Sequence, residues 1–169
     1  MCTLDFDTWF ADHLGERPEE VTRLLDDKTA VRFLIAWSLL EPKCFGGFAR
    51  GKDLPSHCQR LTDGGFDPGP LNPIIKHFHS RYQCEERHLD LMRGNTKPDI
   101  KPLLEKSLDE LSNCEKVFLI VSVIFRYRNN IFHGLKSVES WPQYERQIKY
   151  CVQIMQSLIT HATEREKSV

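Results

Sequence analysis

Residues 117–125 have the sequence VFLIVSVIF, and RYRNNIFHG follows directly at residues 126–134. Only Ser122 is polar in the first part of this stretch, which predicts a segment buried on every side. Two arginines, two asparagines and a histidine lie in the nine residues that follow it. Polar groups on a buried element cost free energy unless they are paired or face a wet cavity. The stretch therefore predicts a central helix with a functional cluster at its end.

Apolar residues recur at helical spacing along most of the chain, with almost no period-two alternation. This pattern predicts an all-α fold of four to five main helices around one core, forming a single domain over residues 1–169. The predicted helices are a short one through Phe6–Leu14, then 27–41, 72–92 and 101–132, and a last one that begins after a capping box at Ser140 and Gln143. Residues 164–169 are predicted to be a frayed tail.

Residues 42–70 differ in composition from the rest of the chain. They hold six of the nine glycines and four of the nine prolines. Such a density of turn-forming residues predicts an irregular, loop-rich insertion, with one or two helical turns at most around Leu54–Leu61.

Composition excludes several classes of protein. The chain has 169 residues, of which 40% are hydrophobic and 28% charged, and no apolar run approaches the roughly 18 residues of a membrane span. The first residues lack the basic and apolar regions of a secretory signal, so we expect a cytoplasmic protein without a membrane partner. The net charge is −1 and the pI is near 6.7, so any contact with nucleic acid must come from a local basic pocket. None of the six cysteines forms a Cys-x-x-Cys pair.

Four polar residues, His77, Arg81, Cys84 and His88, are spaced by four, three and four in the predicted helix 72–92. A cysteine and a histidine four apart are able to share a metal ion. A structural zinc site usually takes four ligands with paired spacing, which this row lacks. The pattern therefore favours a polar or RNA-facing edge over a metal site.

The polar residues at the end of the central helix do not all face one way. At about 100° per residue, Arg126, Asn129 or Asn130, and His133 fall on one stripe, whereas Arg128 is about 140° away from His133. Arg128 and His133 converge only if the helix ends before His133, as Gly134 indicates, or if a second chain supplies the partner. The structural alternative is an arginine that caps the last carbonyls and a histidine at a favourable dipole position.

The segment Arg128-Asn129-Asn130-Ile131-Phe132-His133 resembles the Arg-polar-x-x-x-His signature of the HEPN (higher eukaryotes and prokaryotes nucleotide-binding) domains. The resemblance covers about residues 101–165, and the helix over 27–41 corresponds to the family's acidic helix, with Glu41 as the acid. It implies a small helical bundle of the kind found in toxin–antitoxin and anti-phage systems, many members of which are metal-independent endoribonucleases. Family toxins that are silenced by nucleotidylation carry a tyrosine two residues after the histidine, where this chain has Leu135.

The resemblance implies cleavage of RNA by attack of its own 2′-hydroxyl on the adjacent phosphorus, without metal or cofactor. In this hypothesis His133 moves protons, Arg128 stabilises the phosphate and Asn129 orients either group. We expect Arg126 and Asn130 to bind the flanking RNA backbone and Glu41 to pair with Arg128. One chain offers one motif histidine where the reaction needs an acid and a base, so we expect a homodimer with a composite site. A toxin or defence effector would also have an antitoxin or other defence-system partner.

Two other interpretations stay open at this point. In the first, the chain is a non-catalytic module that binds RNA or a nucleotide and acts with a partner protein. In the second, it is a helical adaptor whose polar cluster only caps and pairs.

Overall fold

The computed structural model describes residues 6–15, 17, 19, 22, 26, 28–132 and 143–167. The helices in this part of the chain are α1 (Phe6–Leu14), α2 (Lys28–Leu40), α3 (Leu54–Asp63), α4 (Asn72–Tyr82), α5 (Glu85–Met92), α6 (Lys101–Leu104), α7 (Asn113–Phe132) and α8 (Glu145–Lys167). The described residues contain no strand, which confirms the all-α prediction. None of these helices is long and apolar enough to cross a bilayer.

Helix α7 is the central element of the fold. Its residues from Leu119 to Tyr127 are all buried, with accessibilities of 9% or less, and α3, α4, α5 and α8 pack around it. Trp37 of α2 adds a ring contact to Phe125, at 6.3 Å between centroids. The predicted burial of residues 117–125 is confirmed, except that Phe118 is only partly buried. Burial on all sides explains why this segment has no polar face.

A π-helical turn follows α2 and directs the chain toward the end of α7. It spans Glu41–Phe45, and the carbonyl of Glu41 accepts hydrogen bonds from the backbone N–H groups of Gly46 and Gly47. Gly46 has a φ of 70° and Gly47 one of 135°, conformations that glycine adopts without a steric penalty. The loop then passes so close to Phe125 that a Cβ on Gly51 would lie 3.3 Å from its ring.

Residues 42–70 are more regular than their composition predicts. Helix α3 occupies 54–63 and contributes Leu54, Cys58 and Leu61 to the core, where it packs along α7. Its apolar positions follow helical spacing, but the glycines and prolines on both sides obscure them. The segment is thus part of the bundle and not an appended loop.

Two predicted long helices are each interrupted. The predicted helix 72–92 breaks at Cys84, whose backbone is extended, so that α4 and α5 are separate helices. A continuous apolar stripe over 72–92 would place Leu89 in the core, but it is 61% exposed. The predicted helix 101–132 contains α6, a 3₁₀ turn over Leu108–Glu110, and α7. The interruption ends at Ser112. Its hydroxyl accepts a hydrogen bond from the backbone N–H of Glu115, and its own backbone N–H donates one to the Glu115 carboxylate. This reciprocal capping starts α7 at residue 113.

Acid is expected to weaken the packing of α3 through His57. The ring of His57 is 8% exposed and contacts Phe45, and its Nδ1 is hydrogen-bonded to the guanidinium of Arg60. Burial and the charge of Arg60 lower the pKa of His57 from 6.5, although Asp53 acts in the opposite direction. As the pH falls through about 6.5, His57 therefore becomes protonated in the unfolded chain before it does so in the folded chain. The free energy of unfolding falls as the pH is lowered.

Urea unfolding at about pH 7.5 and about pH 5.5 measures this dependence. His57→Gln keeps a neutral acceptor and is expected to lose less stability between the two pH values than the parent. His77 and His88, whose pKa values burial also lowers, account for the slope that remains. Equal slopes for parent and variant would contradict the role assigned to His57.

Candidate functional site

The polar residues 126–130 lie around α7 and not on one face of it. Arg126 and Asn130 point to the end of α5, whereas Tyr127 contacts α4 and Tyr144, the residue before α8. Arg128 points to α2 and to the loop that follows it. This divergence is what a regular helix requires at about 100° per residue.

Arg126 and Asn130 form a buried network with the carboxyl end of α5. The guanidinium of Arg126 donates to the carbonyl of Met92 at 2.9 Å, to that of Leu91 at 3.4 Å and to Oδ1 of Asn130 at 3.2 Å. Nδ2 of Asn130 donates to the same Leu91 carbonyl at 3.0 Å. The side chains are 3% and 0% exposed. Together they satisfy carbonyls that have no partner within α5.

The charge of Arg126 is compensated by helix carbonyls. No carboxylate among the described residues pairs with it, and burial lowers the pKa of its guanidinium. The last carbonyls of a helix carry the negative end of its dipole, which favours a cation there. The structure therefore gives Arg126 and Asn130 a structural role in the interior, in place of the surface contact with RNA expected from the sequence.

Tyr127 fixes the register of α7 against α4. Its hydroxyl accepts a hydrogen bond from the hydroxyl of Tyr82 at 3.1 Å, and its ring lies edge-on to Tyr144. Burial raises the pKa of both Tyr82 and Tyr127 well above the usual value, so both phenols stay neutral. This contact holds the polar end of α7 in place.

Arg128 is half-buried between two aromatic rings. Its Cζ lies 5.7 Å from the ring centre of Trp37 and 5.9 Å from that of Phe48, within the range of cation–π interactions. Its Nη1 donates to Oδ1 of the half-buried Asn129 at 3.1 Å. The side chain of Phe48 is 69% exposed. The structure thus brings Arg128 and Asn129 together beside an exposed aromatic ring.

Glu41 supports this arrangement through a hydrogen bond to the loop that carries Phe48. Its Oε1 accepts a hydrogen bond from the backbone N–H of Ala49 at 3.0 Å. The sequence predicts that Glu41 pairs with Arg128. In the structure its carboxylate binds Ala49, the residue next to Phe48, instead. Glu41 therefore positions the loop that carries the ring over Arg128.

His133 lies outside the described residues, as do Leu135 and the predicted capping residue Ser140. Helix α7 is described as far as Phe132, the residue directly before His133. The proximity of His133 to Arg128 stays a prediction from the sequence.

The row His77, Arg81, Cys84 and His88 does not form one helix face, because Cys84 lies at the break between α4 and α5. Within the described ranges, no three residues of the types His, Cys, Asp and Glu are arranged to hold a metal ion.

The motif does not predict two residues of the site. Trp37 continues the apolar stripe of α2, a pattern that indicates a core position, and it lies there at 4% exposure. Phe48 stands in a glycine-rich loop, in the sequence GGFARG. An aromatic residue between glycines and an arginine is a signal for an exposed ring, but it is a weak one.

No family model, curated protein or solved structure matches this chain. The HEPN resemblance therefore stays a prediction that rests on the motif from Arg128 to His133.

Proposed function

We propose that the chain is a metal-independent endoribonuclease of the HEPN type. The observation that carries the proposal is the position of Arg128, which is half-buried at the end of the central helix, held between Trp37 and Phe48, and bonded to Asn129. A guanidinium in such a site is oriented before a phosphate arrives. His133 follows Arg128 in the sequence with four residues between them.

The proposed reaction needs only proton transfer and anion stabilisation. One histidine takes the proton of the 2′-hydroxyl, and the resulting oxygen forms a bond to the adjacent phosphorus. The bond from phosphorus to the 5′-oxygen breaks, and that oxygen receives a proton from a general acid. The products are a 2′,3′-cyclic phosphate and a 5′-hydroxyl end, and DNA is spared because it lacks the attacking group.

The remaining residues support this chemistry. Arg128 offsets the charge that develops on the phosphate oxygens, and Asn129 orients Arg128 through their hydrogen bond. The exposed face of Phe48 offers a surface on which a base is able to stack. Three further residues have an indirect role. Arg126 and Asn130 hold the end of α7, and Glu41 holds the loop over it.

We further propose a two-fold homodimer. One chain supplies a single motif histidine, whereas the reaction uses both a base and an acid. A symmetric pair of chains that brings two sites together supplies both groups. The resemblance extends this proposal to a cytoplasmic toxin or phage-defence effector restrained by a partner protein.

RNA cleavage in the presence of EDTA tests the nuclease proposal. The parent is expected to cut single-stranded RNA and leave cyclic phosphate ends, and His133→Ala is expected to reduce the rate by at least about a hundredfold. Urea unfolding of both proteins controls for loss of the fold. Cleavage by His133→Ala at the parent rate would contradict the proposal. RNA binding that survives in His133→Ala, with no cleavage by the parent, would favour the non-catalytic binding module.

A further inference from the structure

A polar cavity lies on the surface formed by α4 and α5. Its volume is about 420 Å³, and it is lined by Pro73, Lys76, His77, Ser80, Arg81 and Arg87. Arg146 of α8 stands close enough for its charge to act on His77. We call this cavity, together with Arg146, the basic pocket.

Its charge is not balanced by neighbouring acids. Within the described part of the chain, none of Lys76, Arg81, Arg87 and Arg146 forms an ion pair with a carboxylate. Burial and the charges of Arg146, Arg81 and Arg87 lower the pKa of His77, and no acid opposes them. A cluster of four uncompensated cations is a strong local field on a chain whose net charge is −1.

Two polar atoms of the basic pocket lack the partner that burial normally demands. Nε2 of His77 and Nε of Arg81 are buried, and neither forms a hydrogen bond within the described structure. Both atoms are closed off from the cavity, so an anion there would meet the exposed Lys76 and Arg87 first.

Aromatic rings stand among the cations. The ring of Tyr150 lies 5.0 Å from that of His77, and the guanidinium of Arg146 lies over its face at 5.4 Å while donating to its hydroxyl. Arg81 stands over Tyr82 at 5.9 Å. Tyr82 is buried and neither tyrosine lines the cavity, so these contacts orient the two arginines, and the cations are the groups that the backbone of an RNA strand would meet. A membrane surface would require exposed apolar anchors, and no large aliphatic residue lines the cavity.

We propose that the basic pocket binds the phosphate backbone of single-stranded RNA, as a docking site separate from Arg128. Arg128 lies on the α2 side of α7, whereas Tyr82 and Tyr150 connect the pocket to the α4 and α8 side. The inference rests on the proposed function in that RNA is taken as the ligand. The basic pocket would hold the strand by its backbone while Arg128 acts on a single phosphate.

RNA binding by Lys76→Ala/Arg87→Ala tests this inference. Both side chains are exposed, so their loss should leave the fold intact. The variant is made in the His133→Ala chain and titrated with a labelled single-stranded RNA at several salt concentrations. Binding is expected to weaken about tenfold, and the slope of log K against log salt to fall by about 1.4, or 0.7 for each lost phosphate contact. Lys101→Ala/Lys116→Ala removes the same charge elsewhere and is expected to bind within about twofold of its parent.

A second readout reports on the pocket itself. RNA is expected to shift the NMR signals of the His77 ring and to leave those of His161, outside the pocket, unchanged. Binding that is equal in the pocket variant and the control pair, or a His77 signal that does not move, would overturn the inference. So would pocket-dependent binding of anionic vesicles without binding of RNA.

The two proposals fail separately in this design. Loss of RNA binding in the pocket variant, with no cleavage by the parent under EDTA, would support the pocket and remove the nuclease. Cleavage by the parent with unchanged binding in the pocket variant would do the reverse.

Discussion

Arg128→Ala is expected to lower the rate of RNA cleavage by about a hundredfold to a thousandfold, with little effect on the fold. Removing one preoriented donor from a site where negative charge develops has effects of this size. The guanidinium is half-buried, so its loss creates no large buried cavity, and the cation–π contacts with Trp37 and Phe48 contribute only about 1 kcal/mol. Initial cleavage rates and urea unfolding of the same preparations measure both effects.

Arg128→Lys is the matched control. It keeps the positive charge and loses the planar fork that bonds Asn129 and stacks on the rings. We expect a cleavage rate between those of the parent and Arg128→Ala. If both variants cut RNA as fast as the parent, Arg128 has no part in the chemistry.

Mixing the parent with His133→Ala tests whether the site is shared. If one site needs the histidines of both chains, a mixed dimer lacks its base or its acid and does not cut RNA. After equal mixing and exchange of subunits, about a quarter of the dimers keep both histidines, so the rate is expected to fall to roughly a quarter of that of the same total concentration of parent. A rate of about half the parent's would mean that each chain cuts alone and would contradict the composite site.

The fold was predictable where apolar periodicity is strong. Residues 117–125 indicate a buried helix from composition alone, and α2 follows its predicted stripe through Phe33, Trp37 and Leu40. The errors lie where local hydrogen bonds decide. The break before α7 depends on a capping pair at Ser112 and Glu115, and the break at Cys84 depends on a backbone angle that no pattern of apolar residues reveals.

The candidate site was predictable only in part. Arg128 and Asn129 follow from the motif, but the direction of Arg126 depends on which helix end lies beside it. That neighbour is α5, which is brought there by packing against α7 across some 35 residues of sequence. The placement of Phe48 over Arg128 depends on the turn at Gly46 and on the hydrogen bond between Glu41 and Ala49. Such long-range placements are tertiary effects that one sequence does not specify by spacing.

Arg126→Met is expected to lower the free energy of unfolding by about 2 kcal/mol. Methionine fills much of the same volume but has no donors, so the carbonyls of Leu91 and Met92 and the amide oxygen of Asn130 lose the bonds that Arg126 makes to them in the interior. The carbonyl of Leu91 keeps its bond from Nδ2 of Asn130, and that of Met92 keeps the bonds from the backbone N–H and side-chain amide of Asn95. The amide oxygen of Asn130 is thus the buried group that loses its bond, at a cost of about 1–3 kcal/mol. Urea unfolding followed by circular dichroism measures the change.

The same substitution two residues along the helix provides the comparison. Arg128→Met alters a half-buried guanidinium whose described hydrogen bond is to Asn129, and is expected to cost about 1 kcal/mol in stability while abolishing most cleavage. Arg126→Met is expected to retain cleavage under conditions where it is folded, because Arg126 contacts α5 and not the exposed end of the motif. If Arg126→Met were as stable as the parent but failed to cut RNA, Arg126 would belong to the reactive site. Opposite effects of one substitution at two neighbouring arginines would separate the residue that holds α7 in the bundle from the residue that acts on RNA.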